Sequence, residues 1–338
     1  CDLLLALGWA RFFGHEYRHI LDNEAPAALA LAEGLGDRQR ACQVCLLATA
    51  AISGTGMGPA FGTDEAAKWT EAFDRHALPD TIERAWANQA LGGRKAAATD
   101  FAGAWPLFRE STLLARKLGD ASAFVNCGGD YLWFLPPTAE NIEEARQIAG
   151  EMRQVWDKAD PFSMAYAMEC IGDFFLMRGE REQGEAIHRE LMESARLARL
   201  PAHQYLFQYL RGCYHVMDGR LEEAVECYDD VLRLGAEMGA PLTAGVMATS
   251  FGPRLGGYLG WGQKELRRLE EWAQGAGISV PVQAHVRAYH LVIGGETQEV
   301  MTILGEIANH YAAEPKRTRH TFGGLLLLLE TAVLAKYA

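Results

Sequence analysis

Apolar residues along the chain recur at three- and four-residue spacing, and no stretch shows sustained apolar/polar alternation rich in Val, Ile and Thr. That spacing gathers apolar side chains on one face of a helix, so it predicts amphipathic helices and no sheet. Ala, Leu, Glu and Arg, all good helix formers, are among the frequent residues. Gly, Pro and Asp break the pattern about every 15 to 20 residues, as helix hairpins require. The expectation is an all-α chain of about sixteen helices.

These helices repeat. A helix predicted to end at Met217 is followed by Asp218-Gly219-Arg220 and a new helix from Leu221. One unit earlier a helix ends at Met177, Arg178-Gly179-Glu180 turns the chain, and a helix runs on to Leu200. Gly172 and Gly212 each lie seven residues before the turn glycine, which gives a period of 40. The pattern extends with drift through Gly129, Gly252 and the Gly294-Gly295 turn. Second helices close on a related tag: Leu35-Gly36-Asp37, Leu118-Gly119-Asp120 and Met238-Gly239-Ala240. A small residue inside each first helix admits its hairpin partner closely, Ala224 and Tyr228 pack between units, and the turn glycine takes a conformation that side-chain-bearing residues adopt poorly. No such unit buries its apolar face alone, so neighbours stack into a continuous core. The fold class expected is an α-solenoid of about eight helix hairpins in one array over 1–338. Residues 1–120 form less regular repeats, 121–260 the best-defined ones and 261–338 divergent ones, with poor register after Gly260.

Composition narrows the function. Lys and Arg number 32 against 44 Asp and Glu, a formal net charge of −12. That balance argues against a direct nucleic-acid or anionic-membrane surface, which needs clustered cations. The longest apolar runs, such as Leu325–Leu329, fall far short of the ~20 residues of a membrane helix. Seven scattered cysteines read as buried thiols of a reducing, cytoplasmic protein. Cys42 and Cys45 form a lone CxxC inside the apolar run Ala41–Ala51, with no second ligand pair for zinc, and are expected to be structural. The first residue is Cys1 rather than Met, so a piece of a longer polypeptide is expected.

Residues 205–232 resemble the tetratricopeptide repeat: Gly212, Gly219, Ala224 and Tyr228 stand at matching spacing, with Gln208 where that repeat has Trp. CDLLLALGWA at 1–10, LALAEGLGD at 29–37, FGTDEAAKWTEAFD at 61–74, LLARKLGD at 113–120 and the stretch 201–240 are similar to the helical-repeat region of large bacterial signalling ATPases. The pattern departs at 41–60, which is richer in Gly and Cys. The resemblance implies a tetratricopeptide-like right-handed superhelix attached to a nucleotide-binding module. The output of such proteins is a LuxR-type DNA-binding domain or class III adenylate cyclase domains. Neither a phosphate-binding loop nor an output segment lies in these 338 residues.

Two motifs invite an enzymatic reading. His15-Glu16-Tyr17-Arg18-His19 is a literal HExxH, with Glu33 as a conceivable third ligand. In a zinc hydrolase His15 and His19 would hold the metal one helical turn apart and Glu16 would activate water. The motif follows Gly14 at the first hairpin turn, and only fourteen residues precede it, so a solvated helix start is the preferred reading. Gly54-Thr55-Gly56-Met57-Gly58 suggests a phosphate loop, yet no strand precedes it, Pro59 follows and no Lys-Ser/Thr pair is present. A flexible loop between hairpins is expected there instead.

A binding groove is the stronger candidate. The resemblance implies that first helices line the concave face. The glycine register then places Asn126, Asp130 and Trp133 there, followed by Tyr166, Glu169 and Asp173, and by Tyr209 and Cys213. Aromatics mixed with carboxylates suit a peptide, a partner protein or a polar small-molecule effector, and favour a cationic or hydrogen-bond-donating one. Substituting Asp130 and Asp173 together by Ala should weaken such a ligand without unfolding the array. The function expected is a non-catalytic sensor or scaffold domain, without cofactor or metal, that regulates an attached ATPase or output module. The alternatives are a free-standing interaction scaffold and the zinc hydrolase.

Overall fold

The computed structural model describes residues 1–98, 100–136, 138–198, 202–237, 252, 255–261, 264, 267, 271, 284–313, 331, 332 and 335. Among them every regular element is helical and no strand occurs. Contacts divide the chain into two compact units, Cys1–Leu200 and Pro201–Ala338.

The first unit opens with α1 (Asp2–Phe13). A continuous helical run follows: α2 (Tyr17–His19), a π-helical turn (Ile20–Glu24) and α3 (Ala25–Gly34). Next come α4 (Arg38–Ala60), α5 (Asp64–His76), α6 (Ile82–Ala97), α7 (Phe101–Leu118), α8 (Ala121–Trp133), α9 (Ala139–Arg153), α10 (Pro161–Leu176) and α11 (Arg181–Ala198). Helix starts are written in the sequence. Thr63, Thr81, Asp100, Asp120, Thr138 and Asp160 each accept a backbone N–H of the first turn of α5 through α10, and such a cap contributes about 1 kcal/mol.

The Leu-Gly-Asp tag has a double role. Gly36 and Gly119 adopt left-handed backbone, φ +66° and +73°, which ends one helix. The Asp that follows starts the next: Asp37 accepts Arg40 N–H at 3.0 Å and Asp120 accepts Ala123 N–H at 2.8 Å. The hairpin turns are equally regular. The residues after Gly179, Gly219 and Gly295 each donate back five positions, Glu180 to Phe175, Arg220 to His215 and Glu296 to Leu291, at 2.9 to 3.0 Å.

Within the first unit α6 packs on α7, α8 on α9 and α10 on α11, while α4, α6, α8 and α10 pack on one another in succession. Polar partners record the same spacing. Arg109 pairs with Glu144 and Arg116 with Glu151, each 35 residues on, and Arg146 pairs with Glu180, 34 on. Exposed pairs like these add little stability, but they fix the offset between neighbouring hairpins. These contacts are consistent with helical repeats.

The segment 54–58 corrects the sequence expectation. It is not a loop: α4 runs unbroken from Arg38 to Ala60. The reason is packing. A Cβ on Gly54 would lie 2.6 Å from the Tyr17 ring, so the glycine admits a neighbouring aromatic rather than a bend.

In the second unit α12 (Ala202–Met217) and α13 (Leu221–Glu237) form one hairpin. Another comprises α14 (Ala284–Ile293) and α15 (Thr297–Ala313). Ala224 and Tyr228 are fully buried, and the Tyr228 ring lies against Gly252. The tag at Met238-Gly239-Ala240, the end of the predicted helix at Leu200 and the apolar run Leu325–Leu329 fall outside the described residues. Among the described residues no helix is long and apolar enough to cross a membrane.

Candidate functional site

Adjacent first helices α8 and α10 carry six of the predicted groove residues. They meet closely because Gly129 has no side chain: a Cβ there would lie 2.6 Å from the Tyr166 ring. Tyr166 thereby reaches Asp130, donating its hydroxyl to Oδ1 at 2.7 Å. The other carboxylate oxygen accepts Gln89 Nε2 of α6 at 2.6 Å, and that amide also meets Asn126 Oδ1 at 2.8 Å. Asn126 in turn donates to Ser163 Oγ at 3.3 Å. A polar row therefore runs across three first helices, with partners 36 to 41 residues apart.

One and two turns further along α10 stand Glu169 and Asp173. Glu169 is only 8% exposed, and its carboxyl makes no hydrogen bond among the described residues. Asp173 Oδ1 lies 3.7 Å from His188 Nε2 of α11, too far for a hydrogen bond. The His188 ring is fully buried against Gly172, and its Nε2–H donates to the Glu169 carbonyl at 3.1 Å. Burial holds this imidazole below its ordinary pKa, which favours the neutral ring.

Burial also disfavours charge on the three carboxyls. It pushes Asp130 up to about 6, Asp173 to about 7 and Glu169 to about 8, the last also repelled by Asp173. Asp130 stays lowest because Tyr166 and Gln89 donate to its charged form. Buried thiols beside them, Cys127 and Cys170, are raised by the same desolvation. Trp133 ends α8 with its side chain 43% exposed. The arrangement holds strong acceptors short of donors, which is equipment for binding a hydrogen-bond donor or a cation.

Tyr209 and Cys213 lie one turn apart on α12 of the second unit, Tyr209 buried and Cys213 half-buried.

The HExxH residues do not share a helical face. His15 precedes α2, in left-handed backbone at φ +60°, and its Nδ1 lies 2.7 Å from the Tyr17 hydroxyl. Glu16 pairs with Arg11, His19 Nδ1 lies 3.1 Å from Glu24 Oε2, and Glu33 lies 3.1 Å from His76. The two histidines thus miss the one-turn helical spacing that the metal motif needs. Among the described residues no group of three or more His, Cys, Asp and Glu is placed to hold a metal ion. Cys42 and Cys45 are buried in α4, and burial pushes their thiols up to about 11 and about 12.

No protein-family model matches the chain, and no curated protein matches it at a significant level.

Proposed function

We propose that this chain is a tetratricopeptide-like right-handed α-solenoid serving as the non-catalytic sensor or scaffold domain of a multidomain bacterial signalling protein. In this reading it works in the cytoplasm, binds an effector or partner protein on the face formed by its first helices, and regulates an attached ATPase and output module. The observation that supports binding is the row on α6, α8 and α10, where polar and acidic side chains recur at the repeat offset, and where the buried Glu169 and the half-buried Asp173 make no side-chain hydrogen bond among the described residues. The resemblance of residues 1–10, 29–37, 61–74, 113–120 and 201–240 supports the signalling context. Repeat units of a solenoid contact chiefly their neighbours, so a ligand bridging α8 and α10 biases the angle between hairpins and hence the curvature passed to a tethered module.

The test is ATP hydrolysis by the full-length product of the gene that encodes this chain. The reading predicts a phosphate-binding loop in that product and a hydrolysis rate that changes when Asp130 and Asp173 are both replaced by Asn. A product without the loop and without ATPase activity sinks the signalling role and favours the free-standing scaffold.

A further inference from the structure

We infer that the α8–α10 face accepts a primary ammonium group on an aliphatic chain, seated between the Glu169 and Asp173 carboxyls with its methylenes along Trp133. The inference deepens the proposed binding role and rests on it.

The acceptors that remain open decide the ligand. Both oxygens of Asp130 are taken, by Tyr166 and Gln89. Glu169 is nine-tenths buried without a hydrogen bond among the described residues, and Asp173 has His188 only at 3.7 Å. The nearest ring N–H is already spent on the Glu169 carbonyl. Glu169 is 8% exposed and Asp173 17%, so their carboxyls are largely withdrawn from water yet reachable from it, and a ligand that seats on this face gains by bringing N–H groups and positive charge. The two carboxyls stand at i and i+4 on α10, one turn apart. A tetrahedral ammonium with three donors can bridge acceptors so placed, whereas a planar guanidinium matches the two oxygens of a single carboxylate.

The aromatic wall is a separate observation. Trp133 stands one helical turn beyond Gly129, whose open Cβ position meets Tyr166 and Cys170 of α10, so helical spacing puts it on the α10-facing side of α8. Trp133 is 43% exposed and makes no ring contact or hydrogen bond among the described residues. An exposed indole on this side of α8 favours an alkyl stem or cation lying on its face. The groups facing the ammonium are Tyr166, Glu169, Cys170 and Asp173 of α10, Asp130 of α8 and the neutral His188 of α11. Affinity therefore rises with pH as Glu169 gives up its proton.

The probes are 1,5-diaminopentane, N-acetyl-lysine methylamide and tetramethylammonium, titrated calorimetrically into the whole chain at pH 8. At least one primary amine should bind saturably at one site, and which one binds separates a free amine from a lysine side chain. Tetramethylammonium, which has no N–H, and the Glu169→Gln variant should each lose about ten-fold or more in affinity. Glu169→Gln should melt no lower than the parent chain, which separates lost binding from lost folding. Absence of saturable binding by both amines, equal binding of tetramethylammonium, or unchanged affinity in Glu169→Gln overturns the inference. An anionic probe, N-acetyl-glutamate methylamide, that binds in their place and is lost in the Asp130→Asn/Asp173→Asn pair would overturn this inference while leaving the binding role intact. Amine binding together with a failed ATPase test would do the reverse.

Discussion

Replacing Glu169 by Gln should stabilise the ligand-free chain at neutral pH. The carboxyl is buried, and its pKa rises from the ordinary 4.5 to about 8, a preference for the neutral form of about 5 kcal/mol. In the unfolded chain Glu169 ionises near 4.5, while in the folded chain it keeps its proton to about 8. Raising the pH through that window therefore favours unfolding: the stability present below 4.5 declines until about pH 8. From Glu169 alone the loss between pH 5 and 7 is about 2 to 3 kcal/mol. Gln has nearly the same shape and cannot ionise. Urea unfolding followed by circular dichroism at pH 5, 6 and 7 should show the variant exceeding the parent by that margin at pH 7 and by under about 1 kcal/mol at pH 5. Parallel pH curves would refute the reasoning, because they would mean that Glu169 is solvated or already paired.

His290 is fully buried, neither ring nitrogen has a hydrogen-bond partner among the described residues, and burial lowers its pKa to about 4. The second unit should therefore lose about 3 kcal/mol as pH falls from 6.5 toward 4, a loss that His290→Phe should abolish in thermal melts. Gly129→Ala should destabilise by about 1 to 3 kcal/mol, because its methyl meets the Tyr166 ring; an unchanged melting temperature contradicts that packing. Thr138→Ala removes the cap that accepts Asn141 N–H at 3.3 Å and should lower stability by about 1 kcal/mol in chemical unfolding. Cys42 and Cys45 should resist a thiol-specific colorimetric reagent in the native chain and react once it is unfolded in guanidinium.

The hairpins were legible in the sequence because their punctuation is local chemistry. Gly179, Gly219 and Gly295 all take left-handed backbone, and the Leu-Gly-Asp tag announces both a helix end and the next cap. One misreading arose because residue type alone does not report the neighbour. Gly54 resembled a loop residue, yet it is helical and makes room for Tyr17, which lies 37 positions earlier. The first hairpin turn was expected at Gly14, but the left-handed backbone falls on His15, and Gly14 has φ −85°.

The candidate site shows the same division. Asn126, Asp130, Tyr166, Glu169 and Asp173 follow from helical spacing around Gly129 and Gly172. Gln89 and Ser163 were missed although each lies 37 residues from Asn126, so an offset test against neighbouring repeats could have found them. His188 gave no such signal. It belongs to a second helix and enters the site only because Gly172 leaves room for its ring.

The central claim, that desolvated carboxyls of α10 wait for a cation, is tested most directly by counting protons. Glu169, at about 8, is about nine-tenths protonated at pH 7, and Asp173, at about 7, is about half protonated. Binding of 1,5-diaminopentane at pH 7, titrated in buffers of differing ionisation enthalpy, should therefore release about one proton per site. Saturable binding with no proton released would contradict the account.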